Sequence, residues 1–246
     1  TKNLVISANV DYITEEVKNR YIFKGAQGNS AGTLLWVNSN MPTSALAPGY
    51  GADYKEKVLG TDLNATNPYY TLNRISNQTE KDRFISTVNV RWNILDGLFV
   101  QAKAGQDFYT FNTHKIVPEG TGYRPNGQID QTGMNFWERN FEGLIGLDKK
   151  LNENFGLAVN LGGNLMSQHR TTTTIVGSGF VLPQFHVINN TATRNTTTGL
   201  YDKKINSVFA TAELSYKQYL FLNLTGRNDW FSTLNPKSNN FFYPSA

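Results

Sequence analysis

Apolar and polar residues alternate strictly along several stretches of the chain. Leu4, Ile6, Ala8, Val10 and Tyr12 are interleaved with Val5, Ser7, Asn9 and Asp11. Successive side chains of a strand point to opposite faces, so this spacing predicts a strand with one apolar and one mostly polar face. The pattern recurs as hairpins. Phe84, Ser86, Val88, Val90 and Trp92 lead into Asp96-Gly97, a strong turn signal, and the chain returns through Leu98, Val100, Ala102 and Ala104. Phe141 to Leu147 turns at Asn152-Glu153-Asn154 and returns through Leu157, Val159, Leu161 and Leu165. Val208 to Tyr216 turns at Lys217-Gln218 and returns through Leu220, Leu222 and Leu224. Phe241-Phe242-Tyr243 reads as the start of a further strand, so the sequence predicts seven strands and the beginning of an eighth.

The connections alternate as well. Those after Trp92, Leu147 and Tyr216 are short. Those between Tyr12 and Phe84, Asp107 and Phe141, Leu165 and Val208, and Arg227 and Phe241 are long. In an up-and-down antiparallel sheet, all short turns then lie at one end and all long loops at the other, as in outer-membrane barrels. The long loops read as polar and turn-rich, with Thr-rich tracts at Thr171–Thr174 and Thr196–Thr198, a Pro/Gly-rich tract from Asn38 to Tyr54, and one helical turn over Glu56 to Leu59. Aromatics near strand ends (Tyr12, Phe84, Trp92, Phe141, Phe155, Tyr216 and Tyr219) are placed as in the interfacial girdles of barrels. Strands favour aromatics in any case, so this feature alone does not separate a membrane barrel from a soluble sheet.

Composition sharpens the picture. The 246 residues carry a formal net charge of +4, only 17% charged residues, and 29 Asn and 25 Thr. The strand face opposite the apolar one is therefore polar without being highly charged, unlike the Lys- and Glu-rich faces that protect soluble sheets from edge pairing. No apolar run is long enough for a transmembrane helix, and alternating barrel strands average out to polar. With no Cys there is no disulfide framework, thiol nucleophile or Cys-ligated metal, and no metal or other cofactor is expected. The basic residues are scattered, which argues against nucleic acid as a partner. His114, His169 and His186 lack metal-ligand spacing, Glu15-Glu16 point apart on a strand, and Gly177-Ser178-Gly179 matches no nucleophile elbow, so no enzyme is expected.

The run from Lys204 to Trp230, ending in Arg227-Asn228-Asp229-Trp230, closely resembles the SusC/RagA family of TonB-dependent outer-membrane transporters. Asn67-Pro68-Tyr69-Tyr70, Lys81-Asp82-Arg83-Phe84 and Gly143 to Lys150 extend the resemblance upstream. It implies an all-β, antiparallel, up-and-down transmembrane barrel of about 22 strands with a plugged lumen. Residues 1–246 would be a mid-barrel segment of it, without the plug or the TonB-contacting part. It implies the outer membrane of a Gram-negative bacterium, a SusD-like surface lipoprotein as lid, TonB as energy donor acting through other parts of the parent chain, contact with the lipid bilayer, and oligosaccharides or oligopeptides as substrate. Asn89, Arg91, Gln101, Lys103, Asp107, Glu142, Asn160, Asn164, Asn223 and Arg227 are the lumen-facing candidates, for cargo contact or for plain hydration and plug packing. The signature residues Arg227, Asn228, Asp229 and Trp230 either orient a loop through a charge-assisted Arg–Asp pair or form a local turn and cap. Tyr50, Tyr54, Tyr69, Tyr70, Tyr123 and Trp137 are loop aromatics suited to stacking on sugars, to the lid, or to packing within their loops. The alternative is a soluble all-β glycan-binding module.

Overall fold

The computed structural model describes residues 3–22, 27–35, 37, 40–217 and 219–246. Eight strands form one antiparallel sheet in strict sequence order: β1 (Leu4–Val17), β2 (Ser76–Leu95), β3 (Leu98–Val117), β4 (Gln128–Lys150), β5 (Phe155–Phe180), β6 (Thr191–Tyr216), β7 (Leu220–Phe231) and β8 (Asn240–Ser245). β1 and β8 are its edges, so the sheet is not closed. Pro244, which has no N–H, sits in edge strand β8, where a missing donor is tolerated.

The short turns lie where the alternation breaks. Gly97 has φ +76, and a Cβ there would stand 2.2 Å from the Asp148 carbonyl, so the β2–β3 turn requires glycine. Asn152 Oδ1 accepts from the backbone N–H groups of Asn154 and Phe155, both at 2.9 Å, which closes the β4–β5 turn. Lys217 turns with φ +48, and Gln218 of that turn lies outside the described residues.

The sheet is taller than its alternating stretches. Pairing continues beyond Asp107 and Phe141 to Val117 and Gln128, and beyond Leu165 and Val208 to Phe180 and Thr191. The Thr-rich tracts, expected as loops, are strand: Thr173 pairs with Thr198, Thr174 with Thr197, and the hydroxyls of Thr132 and Thr174 meet at 3.0 Å. Thr favours strands but is polar on both faces, so no alternation marks the extension. The long connections are thereby reduced to residues 18–75, 118–127, 181–190 and 232–239, still all at the end opposite the turns.

Residues 18–75 carry three short helices, α1 (Ser30–Leu34), α2 (Thr43–Leu46) and α3 (Pro68–Arg74), that the alternation did not announce. The helical turn expected over Glu56 to Leu59 does not form; Glu56 instead bridges Tyr50 in extended conformation. The buried apolar core lies mainly at this loop end, around Leu46, Tyr70, Ile75, Val117 and Ile129. The Asn38 that begins the Pro/Gly-rich tract lies outside the described residues.

Candidate functional site

Strand register sorts the side chains into two faces. Directly paired residues share a face, so the row Val88–Ala104–Phe141–Leu165 lies on one side, and the row Asn89–Lys103–Glu142–Asn164–Ser207–Asp229 on the other. The first face is apolar and bare: Ile6 is 64% and Leu161 59% exposed. It has sharp limits. Near the short turns it ends at Trp92, Phe155 and Tyr216. Toward the loops it ends at the row Tyr12–Phe84–Phe108–Trp137, beyond which the same face turns to Asp82, Glu80, Thr110, Asn112 and Asn135. From Phe84 to Trp92 the band runs about 27 Å along the strand, or about 20 Å tall at barrel tilt.

The other face holds all ten residues named above as lumen-facing candidates. Arg91 pairs with Gln101, Asn160 with Thr211, Asn223 with Glu213, and Asp107 with Glu138. Lys103, Asp107, Glu142 and Asn164 come together around Gly105, where a missing side chain leaves a depression of about 310 Å³. Asn223, at the turn end of β7, is remote from it. The Arg91 guanidinium lies 3.5 Å from the centre of the Phe99 ring, and that ring fits only because Gly146 faces it: a Cβ there would stand 2.2 Å away. Asp107 is held by Arg83 through two parallel hydrogen bonds of 2.9 and 2.5 Å. Arg83 was not singled out in the sequence, although its parity with Arg91 places it on the same face.

The signature run splits between the faces. Arg227 and Asp229 lie on the polar side, where Arg227 Nε donates to Asp229 Oδ1 at 2.7 Å and Nη2 donates to Ser207 Oγ at 2.9 Å. Asn228 and Trp230 lie on the apolar side, opposite Val208 and Asn206. All four are in strand β7, so they form no turn and no helix cap. Of the loop aromatics, Tyr70 is buried against Thr121, its hydroxyl 3.0 Å from Oγ1, and Trp137 stands on the apolar face of β4. Burial pushes the Tyr123 phenol up to about 12. Arg74 lies over the rings of Tyr50 and Tyr54, at 5.6 and 4.9 Å. These aromatics mainly pack within the loops.

The loops are locked by two carboxylates. Glu56 reaches the α3 N-terminus and the second loop, accepting from Asn67 N at 2.7 Å and Gly122 N at 2.7 Å. Burial raises its pKa more than those bonds lower it. Asn67 caps α3 by accepting from Tyr69 N and donates to the carbonyls of Leu46 and Lys57. Glu119 clasps the third loop, accepting from Gln184 N and from His186. For Glu119 burial acts upward, but the Gln184 N–H and His186 outweigh it and the pKa falls below the usual carboxylate range. A lowered folded-state pKa contributes stability above the unfolded value of about 4.5, lost as pH falls through the folded one. The protection factor of the Gln184 amide, taken against its intrinsic exchange rate at each pH, should therefore fall as pH drops below about 4.5, and Glu119→Gln should abolish this pH dependence. An unchanged protection factor in the parent protein would contradict the clasp.

Among the described residues, no group of acidic or histidine side chains converges as a metal site. His169 pairs with Asp202 at 2.6 Å and His186 with Glu119 at 2.8 Å.

No family model matches the sequence, and no curated protein matches it. Solved structures do. One titled "Structure of the RagAB peptide transporter" superposes with a TM-score of 0.78 at 15% identity, over 99% of this chain and 28% of that chain. The RagAB peptide importer in its "open-open" and "closed-closed" states matches with a TM-score of 0.74, at 15% and 14% identity and again over 99% of this chain. The chain thus spans little more than a quarter of the length of the chains it matches. In fold, it is the counterpart of a little more than a quarter of a RagAB peptide transporter chain.

Proposed function

We propose that residues 1–246 form part of the barrel wall of a TonB-dependent importer in the outer membrane of a Gram-negative bacterium. The observation that carries this reading is the bare apolar band, ended by aromatics on both sides and backed by a mostly polar face. A soluble glycan-binding module gains nothing from so many exposed Leu, Ile, Val and Phe side chains. In a barrel the band meets lipid, the polar face lines an aqueous interior, and the long loops stand outside the cell.

In this reading Asn89, Arg91, Gln101, Lys103, Asp107, Glu142, Asn160, Asn164, Asn223 and Arg227 face the lumen. The plug and the TonB contact belong to other parts of a longer parent chain, and a SusD-like lipoprotein closes the barrel over the loops. The cargo is an oligopeptide in preference to an oligosaccharide. The matched RagAB structures are of a peptide transporter and a peptide importer, which supports this, and so does the close setting of Lys103, Glu142 and the Arg83–Asp107 pair, which suits a substrate bearing both charges. The wall performs no chemistry.

The test is fractionation of the native host combined with uptake. The chain should be recovered with the outer membrane, together with a lipoprotein partner, and deletion of its gene should abolish uptake of labelled oligopeptides. A detergent-independent soluble protein, or unchanged uptake of both peptides and oligosaccharides, would overturn the proposal.

A further inference from the structure

We propose that the lipid-facing side of this wall carries a seat for one acylated lipid with a phosphate headgroup, its acyl chain in a groove over Gly143 and Gly163 and its phosphate held by Arg139 and Lys204. The inference rests on the barrel reading above.

The apolar face is not uniformly bulky. Across its middle, Ala102, Gly143 and Gly163 stand side by side in register and leave a groove of about 590 Å³, walled by Phe141, Leu165 and Val208. A side chain at Gly143 would meet nothing within 4 Å, so no neighbour fills the space from within the sheet. A lipid-exposed groove in a bilayer is filled by hydrocarbon chains, and a fixed groove selects one position for one chain.

The charge pattern identifies the headgroup. One row toward the loops from Phe141 and Leu165, and one row short of the aromatic row of Phe84, Phe108 and Trp137, the same face carries Arg139, Ser167 and Lys204, which are neighbours in register. Arg139 and Lys204 are two strands apart, about 10 Å by the inter-strand spacing, which long side chains bridge around one phosphate. Both are exposed, and neither makes an ion pair among the described residues. Arg139 is turned toward Trp137, its guanidinium 4.5 Å from the ring centre, which aims it at the headgroup side of the aromatic row. The nearby carboxylate on this face, Asp202, is engaged by His169 at 2.6 Å. Two cations on a lipid-facing surface, one row inside the aromatic limit of the apolar band and long enough to reach past it, match the phosphate of a lipid whose chain lies in the groove.

Native mass spectrometry of the intact, delipidated protein in micelles tests the seat. Phosphatidic acid and phosphatidylcholine with identical chains are offered in turn, with inorganic phosphate as competitor. The protein should retain phosphatidic acid about tenfold more strongly, and R139Q with K204Q should erase the difference. Gly143→Phe, which fills the groove without touching the backbone, should reduce retention of both lipids. Equal retention of the two lipids by the parent protein, no effect of the double variant, or displacement by inorganic phosphate at equal concentration would overturn the proposal. A protein that needs no micelle at all would instead overturn the barrel reading, so the two failures are distinguishable.

Discussion

Replacing Val88 with Arg should destabilise the folded barrel by about 2–4 kcal/mol, whereas the same replacement at the adjacent Asn89 should change stability by less than about 1 kcal/mol. The two positions are neighbours in one strand and differ in face alone. Val88 stands midway between Phe84 and Trp92 on the apolar side, between Ala8 and Ala104 of the flanking strands. That is the midplane of the band, where a guanidinium has neither water nor a partner within reach. Asn89 stands between Ser7 and Lys103 on the polar side, where an added cation is hydrated. Folding titrations of the intact protein into lipid vesicles would measure both. Equal costs at the two positions would mean that the sheet has water on both faces.

The second large effect is expected at Glu56. Glu56→Ala removes the acceptor of two backbone N–H groups, Asn67 and Gly122, that belong to different loops. Leaving the buried Asn67 N–H without a partner costs about 1–3 kcal/mol, and the link between the loops goes with it. Gly49 and Tyr70 make the packing under this brace unforgiving: a Cβ on Gly49, whose φ is +90, would lie 2.2 Å from Tyr70 N. The expected result is loss of exchange protection over residues 66–71 and faster proteolysis within residues 18–75, with the strands unaffected. Glu56→Gln should be the milder change. It keeps one acceptor, and it removes the charge whose burial raises the carboxyl pKa. Because that pKa is raised, the carboxyl's contribution to stability is greatest below about 4.5 and declines as pH rises through the folded value, opposite in sign to Glu119. If Glu56→Ala leaves loop exchange unaltered, the carboxylate is not the brace.

The hairpins were legible in the sequence because each strand has one face in a single environment. Leu4 to Tyr12 and Phe84 to Trp92 alternate for that reason, and they pair in the structure residue against residue from Leu4–Trp92 to Tyr12–Phe84. The same parity argument put the polar candidates on one face. It failed above the aromatic row, where the outer face turns polar, Tyr109, Phe111, Met134 and Phe136 appear on the other face, and Thr171–Thr174 looks like a loop although it is ladder-bonded on both sides. The loop core was illegible for a different cause. Glu56 and Gly122 are distant in sequence and meet only in three dimensions, so no local spacing marks the brace. One signal was present: Asn67 followed by Pro68 is a cap and first-turn pair, and it starts α3. The Arg227–Asp229 pair followed from its spacing once β7 was extended through it, since residues two apart in a strand share a face.

The central claim is that the two faces of this sheet meet lipid and water respectively, and a labelling scan along β2 tests it most directly. The chain has no Cys, so cysteines placed singly at Thr87, Val88, Asn89, Val90 and Arg91 supply the only thiols in this segment. In intact outer-membrane vesicles made permeable to small solutes, a water-soluble maleimide should label the variants at positions 87, 89 and 91. A spin label at positions 88 and 90 should instead be relaxed by oxygen from the lipid phase. Uniform aqueous labelling at all five positions would contradict the claim and return the chain to the class of soluble β-sheet proteins.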